Sequence, residues 1–257
     1  MRHDEPVIEF AGQTYNSLTL PMTDDQGELS PKAHWDDEDY QRLFLSVLIK
    51  RLKEATPPRT DDGKLAQPGQ PADFRNVVFP RAVLFDGTGF PLYADFTGAQ
   101  FFGDFHLSGQ HLAMSVDGCL FAGNFHAKNA HLLADLSAVR ARFLNKVTLR
   151  ECALSGDGYF QNATFERKAT FSDTVFARSV AFNNARFAAP ALFSRTQFGA
   201  RAYFTRTRFE DFADFSYTEF QQYAYFSQCD FLQGASFQDA RFHDRSFFSP
   251  TVGWAER

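Results

Sequence analysis

The sequence predicts an all-β solenoid, on three observations. The first is a repeat. From Tyr159 to Phe248 the chain divides into eleven-residue units, YFQNATFERKA, TFSDTVFARSV, AFNNARFAAPA and onward to SFQDARFHDRS. The second is spacing. Phe160, Phe165, Phe171, Phe176, Phe182 and Phe187 begin a series that runs to Phe248 in steps alternating between 5 and 6 without exception. The third is what stands two residues before most of these rings. Ala163, Ala169, Thr174, Val180, Ala185, Ala191, Thr196, Ala202, Thr207 and their successors to Ala240 are all small. Small, skip one, Phe has the period of an extended chain, so both side chains point to the same side. The residues between are polar or variable and suit an outward side. A short fixed period of this kind stacks units so that each buries its face against the next.

An eleven-residue repeat can also wind a right-handed helical supercoil. Phe at positions 0 and 5 of an α-helix would lie about 140° apart, so no single apolar stripe forms. Pro190 and frequent Thr also oppose helix. Upstream, Leu154, Leu149 and Phe143 keep the register, and Ala138, Leu132, Ala127 and Phe121 keep it with weaker residues. It then slips by two residues and resumes at Leu112, Leu107, Phe101, Phe96, Phe90, Phe85, Phe79 and Phe74. Of the 32 Phe in the chain, 25 fall on these positions, which composition alone would not arrange.

The triplets ADF at 94–96, AQF at 99–101, ADL at 134–136 and ADF at 213–215 resemble the unit of the pentapeptide-repeat family. That unit reads Ala, Asp or Asn, Leu or Phe, then two variable residues. The resemblance covers residues 72–249. It implies a right-handed quadrilateral β-helix with four units per coil and the central Leu or Phe inside. The departure is the extra residue in every second unit. A coil then takes 22 residues rather than 20, with two bulged corners. The span makes about eight coils and a rod about 38 Å long, at about 4.8 Å per coil. Phe in the place of Leu implies a thick aromatic core, each ring contributing about 1.5–3 kcal/mol.

Four segments follow: residues 1–55, 56–72, 73–249 and 250–257. VIEFAGQTYNSLTL at 7–20 reads as two short strands about Ala11 to Gln13. WDDEDYQRLFLSVLIKRLKEA predicts a helix over 36–55, with Tyr40, Leu43, Phe44, Val47, Leu48 and Leu52 at helical spacing. Asp36 to Asp39 at its start, and Lys50, Arg51 and Lys53 near its end, complement the helix dipole. Leu45 and Ile49 widen the apolar face, which predicts a well-buried helix. Two readings are open, a cap over the end of the solenoid and a helix for dimerisation or a partner. TPPRTDDGKLAQPGQPA at 56–72 has the composition of a flexible linker. At the far end Phe247, Phe248 and Trp254 are placed to close the rod.

Net charge is −5, carried by residues 1–71 with 13 acids against 8 bases; residues 72–248 hold 17 of each. A neutral rod is not a nucleic-acid binder by bulk charge. Cys119, Cys152 and Cys229 each stand in the small inward slot and read as buried hydrophobes without disulfides, which fits a reducing, cytoplasmic setting. MRHDEPVIEF has charges where a leader needs an apolar run, and no apolar stretch approaches the ~18 residues of a membrane span.

No nucleotide loop, nucleophile elbow or paired-cysteine motif occurs. A solenoid instead offers columns of residues one coil apart. Tyr159, Tyr203, Tyr225 and Phe247 form one outward column, with Ala181 between the first two, and read as a protein contact or as plain β-favouring surface. AQFFGDFHLSGQHL and CLFAGNFHAKNAHL align at an offset of 20, which places His106 over His126 and His111 over His131. Such a stack would hold a metal or be solvated surface. Arg142, Arg186 and Arg208 share a third column, a phosphate or acidic-partner ladder or again plain surface.

The expected function is non-enzymatic: a rigid scaffold that binds a protein partner or a second copy of itself, with no cofactor. The family resemblance adds an alternative. Some pentapeptide-repeat proteins imitate duplex DNA and bind type II topoisomerases such as gyrase. That imitation relies on an acidic surface, and Arg201, Arg206 and Arg208 here face Glu210, Asp211, Asp214 and Glu219. An enzyme would need a cleft that a packed Phe core does not provide.

Overall fold

The computed structural model describes residues 6–55, 72–86 and 93–249. Phe90, Trp254 and the linker segment 56–71 lie outside the described residues, as does the side chain of Leu52. Ala72, expected to end the linker, belongs to the rod, where Ala72–Asp73 pairs with Ala94 and Asp95.

The chain is a β-solenoid whose strands are mostly two residues long. One face is a nine-stranded sheet running from Ala72–Asp73 to Ser246–Ser249, and the next is an eight-stranded sheet from Val78–Phe79 to Asp230–Phe231. The other two faces form a single thirteen-stranded sheet, because Phe105–His111 and Phe125–Leu132 run through the corner that separates them elsewhere. Within these three sheets strands pair in parallel with their counterparts one coil on, as Ala202 does with Ala224 and Tyr203 with Tyr225.

The alternation of 5 and 6 is an alternation of corners. In the five-residue steps two residues separate the ring from the next small residue, and the second of them is left-handed: Asn162, Asp173, Asn184, Arg195, Arg206, Tyr217, Gln228 and Asp239 all have φ between 54° and 60°. A hydrogen bond closes most of these turns, as from Thr207 N to Phe204 O at 3.0 Å, the pattern of a turn with φ > 0 at its third position. The six-residue steps take three residues around an open bend, as at Glu210–Asp211–Phe212.

Inside, each Phe stacks on its counterpart one coil away and meets neighbours from adjacent faces edge-on. Phe204 lies 4.9 Å from Phe226 at 2° and 5.5 Å from Phe193 at 86°. Both are favourable geometries for rings with a negative face and a positive edge. The small slots carry a second ladder. Thr174, Thr196, Thr207 and Thr218 donate their hydroxyls to Leu149, Phe171, Phe182 and Phe193 carbonyls of the preceding coil at 2.7–2.9 Å. The three cysteines use the same slot. The Cys229 thiol donates to Phe204 O at 2.7 Å, and Cys119 and Cys152 to Phe96 O and Ala127 O. All three are buried thiols outside any disulfide. Burial pushes the Cys152 thiol up to about 11 and Cys229 to about 12, so they stay protonated and unreactive.

The middle coils exchange large for small. Phe105 and Phe125 fill slots that hold Ala elsewhere, and Leu107 and Ala127 stand where the rings would be. Leu136 with Ala138 makes the same exchange. One sequence expectation fails here. Leu112 is 44% exposed, and the core position belongs to His111, which is 1% exposed. The step from Leu107 to His111 is one residue shorter than the step from Ala127 to Leu132 in the next coil, where Asn129 holds the left-handed corner at φ 52°, and the register shifts between Ala127 and Ala130. His111 consequently pairs with Leu132 and stacks on Phe85 at 5.5 Å.

The N-terminal segment sits on the first coil. Val7–Phe10 and Gln13–Asn16 form a hairpin through Ala11 and Gly12, both at positive φ as a two-residue hairpin requires. Leu18 O then accepts from Val78 N at 2.8 Å, standing in for the coil that would precede. Lys32, 2% exposed, donates to Leu18 O and Val78 O, both at 2.9 Å. The helix runs through Asp37–Asp39, a π-helical stretch Tyr40–Leu45, and Ser46–Ala55, with Asp36 capping Asp39 N. Phe44 stacks edge-on against Phe79 of the core at 5.6 Å, and Arg81 reaches back to Asp37 and over the Tyr40 ring. The apolar face is narrower than expected, since Ile49 is 46% exposed and only one side of the helix meets the rod.

Candidate functional site

The nine-stranded face carries the aromatic column. Its outward positions run Ser137, Tyr159, Ala181, Tyr203, Tyr225 and Phe247, each paired in register with the next. Tyr203 lies 4.9 Å from Tyr225 at 6°, and Tyr225 lies 5.0 Å from Phe247 at 4°. Tyr223 joins from the neighbouring column, 6.1 Å from both Tyr225 and Phe247. The strand spacing sets this stack, because outward residues of a parallel ladder recur every ~4.8 Å. Phe247 is 42% exposed, and the three tyrosines are half-buried. Tyr159 stands apart, its hydroxyl donating to Asp157 at 3.4 Å. Partial burial and then Asp157 push its phenol up.

The arginine column is in register, Arg142 next to Thr164, then Arg186, Arg208 and Asp230. Arg186 is already engaged. It donates to both oxygens of Glu210 at 2.8–2.9 Å and to Glu166 at 2.9 Å. The Glu210 hydrogen bond raises the guanidinium's pKa, and Arg186 in turn holds the Glu210 carboxyl below its ordinary value. Arg208 also meets Glu210, at 3.0 Å. Other coils are bridged likewise, by Arg195 with Asp173 and Arg241 with Glu219. The charge of this surface is interleaved at the spacing of one coil.

The histidine columns part company. His106 and His126 stack at 5.1 Å, flanked by Leu84 and Thr148. His111 and His131 do not stack: the register shift sets His131 beside Gln110 and buries His111. An offset of 20 holds up to Ala127 and becomes 21 after Asn129, which no pattern of Phe or Leu announces. Asp104, the carboxylate nearest the pair, accepts from Asn124 N and Nδ2, and the first of these holds its pKa low. Among the described residues no group of three or more His, Cys, Asp or Glu could hold a metal ion, and no helix is long and apolar enough to cross a membrane.

Sequence reasoning missed Lys32, whose burial follows from a connection too irregular to leave a period. It also missed Gln161, which lines a notch beside Tyr159 and Tyr203. A family model described as pentapeptide repeats matches the chain in 9 copies over residues 138–186 and 204–252. The strands between those stretches, such as Ala191–Leu192 and Gln197–Phe198, continue the same sheets without a break. Neither the curated proteins nor the solved structures give a match.

Proposed function

Because this chain is a pentapeptide-repeat protein, we propose that it works as a non-enzymatic interaction scaffold in the cytoplasm, docking a protein partner on the aromatic column of its nine-stranded face. The observation that carries the reading is the outward stack Tyr203, Tyr225 and Phe247, with Tyr223 beside it. Aromatic rings, Tyr above all, are enriched where proteins meet. These rings are held parallel before any partner arrives, so docking costs little side-chain entropy. The ion pairs of Arg186 and Arg195 interleave the two signs between coils, which does not favour a strongly charged partner there.

The test is capture from lysate by the wild type and by a Tyr203→Glu/Tyr225→Glu variant, both first shown folded by circular dichroism. The proposal expects a specific protein with the wild type and its loss with the variant. Sedimentation of the two proteins alone adds the second copy as a possible occupant: a wild-type dimer that the variant breaks makes the partner the chain itself. Equal capture and equal sedimentation would sink the reading.

A further inference from the structure

The aromatic column has one missing rung. Ala181 pairs in register with Tyr159 on one side and Tyr203 on the other. Two strand spacings put those tyrosines about 9.6 Å apart, while the filled rungs stand 4.9 and 5.0 Å apart. One planar group over Ala181 would therefore sit at the ladder's own spacing from a tyrosine on each face. The space exists as an open notch of about 520 Å³, walled by Tyr159 and Tyr203 and edged by Asp157, Gln161 and Asn183.

We propose that this notch anchors one planar ring bearing an N–H donor, the indole of a tryptophan on the docked partner. The assignment rests on the aromatic column being the docking face. Two acceptors select the N–H. Gln161 edges the notch, and its Oε1, covered in the empty site, has no hydrogen-bond partner among the described residues, so a turn of the amide toward a docked N–H meets an acceptor that is otherwise left unpaired. Asp157 spends Oδ1 on Ser179 N at 2.9 Å and keeps Oδ2 toward the Tyr159 hydroxyl. Charge selects a neutral ring over an ion. Asp157 lies on the Tyr159 side, and Arg201 lies on the other, beside Tyr203. Indole is donor-only at its nitrogen and flat on both faces, and tryptophan is among the residues enriched as interface anchors.

The experiment titrates indole, N-acetyl-tryptophanamide, 1-methylindole and benzamidine into the full chain and follows the ring resonances of Tyr159 and Tyr203. Indole and N-acetyl-tryptophanamide should shift both rings saturably. 1-Methylindole should bind about tenfold more weakly, since it leaves the glutamine oxygen unpaired. Ala181→Tyr should abolish the shifts by completing the ladder with the residue its neighbours already use, and Ala181→Leu serves if that variant fails to fold. Absence of a saturable shift, undiminished binding to a folded filled-slot variant, or tighter binding of the planar cation benzamidine than of indole overturns the assignment. Capture kept by Ala181→Tyr but lost by Tyr203→Glu/Tyr225→Glu also overturns it, while the docking face stands. Capture kept by both variants removes the docking face, and with it the partner's tryptophan, whatever indole does.

Discussion

The rod has two halves that reach one fold by different means. From Gly158 to Phe231 each coil repeats the last: a small residue, Gly, Ala, Val, Thr or Cys, in one slot and a ring in the large one, with Phe stacked on Phe at 4.5–5.5 Å. From Tyr93 to Leu154 pairs such as Ala94 with Phe96 and Ala141 with Phe143 keep that order, while others are traded. Phe125 precedes Ala127, Leu136 precedes Ala138, and a histidine takes a core position at His111. The strands still pair in parallel throughout. What the fold requires is a filled layer and a closed backbone ladder; the division of volume between the two slots of a face is free. This is the tolerance expected of a close-packed interior whose total volume and pattern are kept.

The largest effect that separates the halves is expected at Phe204. Its ring stacks on Phe182 and Phe226 and meets Phe193 and Phe215 edge-on, so Phe204→Ala opens a cavity that a regular stack cannot close. A loss of about 3–5 kcal/mol is expected, read by hydrogen exchange as lost protection in the coils around it. A solenoid is not reliably two-state, so local protection is the better measure.

Volume trading is tested directly at Ala138. Ala138→Phe alone overfills its layer, since Leu136 already occupies the small slot, and should cost about 1–3 kcal/mol. Adding Leu136→Ala recreates the pair found in the regular half and should recover most of that loss. Urea unfolding of the single and double variants gives the answer. A double variant no better than the single would mean that the slots are not interchangeable.

A third environment lies where the rod meets its cap. Burial holds the Lys32 amine down at about 6, against an ordinary 10.5. The unfolded chain therefore binds a proton that the folded junction does not across that interval. Stability of the junction should rise with pH between about 6 and about 10.5 and be flat on either side, lowest at and below 6. Lys32→Met should flatten the profile and leave Val78 O without its donor. Hydrogen exchange of the first coil against pH checks both, and a profile unchanged by the substitution would remove Lys32 as its source.

Much of this architecture was legible because a solenoid writes its contacts into its spacing. The Phe series located the core, the small slots and both kinds of corner, and the 22-residue offset put Tyr203 beside Tyr225 and Arg186 beside Arg208. Failures cluster where period and contact separate. The step from Leu107 to His111 lacks a residue without disturbing the apolar pattern that follows, and so the stack of His111 on His131 was expected and is absent. Ile49 obeys helical spacing but faces away, because a helix lying on a rod end is covered from one side. Gln161 carries no signal in the sequence, since its environment depends on which side chain a neighbouring coil lacks.

The smallest contrast concerns the tight corners. The irregular half places Gly98 and Gly118 at left-handed positions, where the regular half uses Arg206, Tyr217 and Gln228. A left-handed backbone costs an ordinary L-residue roughly 1–2 kcal/mol, while glycine's own penalty is the ~0.5–1 kcal/mol of its extra freedom when unfolded. Some corners recover the difference through their side chains, as Arg195 does by pairing with Asp173. Tyr217 is 53% exposed at φ 55° and has little packing to lose. Tyr217→Gly should therefore stabilise the rod by about 0.5–1 kcal/mol, while Arg195→Gly, which surrenders its ion pair, should gain less or nothing. The pair is read as a higher urea midpoint at an unchanged slope for the first alone. Equal gains at both positions would show that the ion pair between coils contributes nothing to the corner.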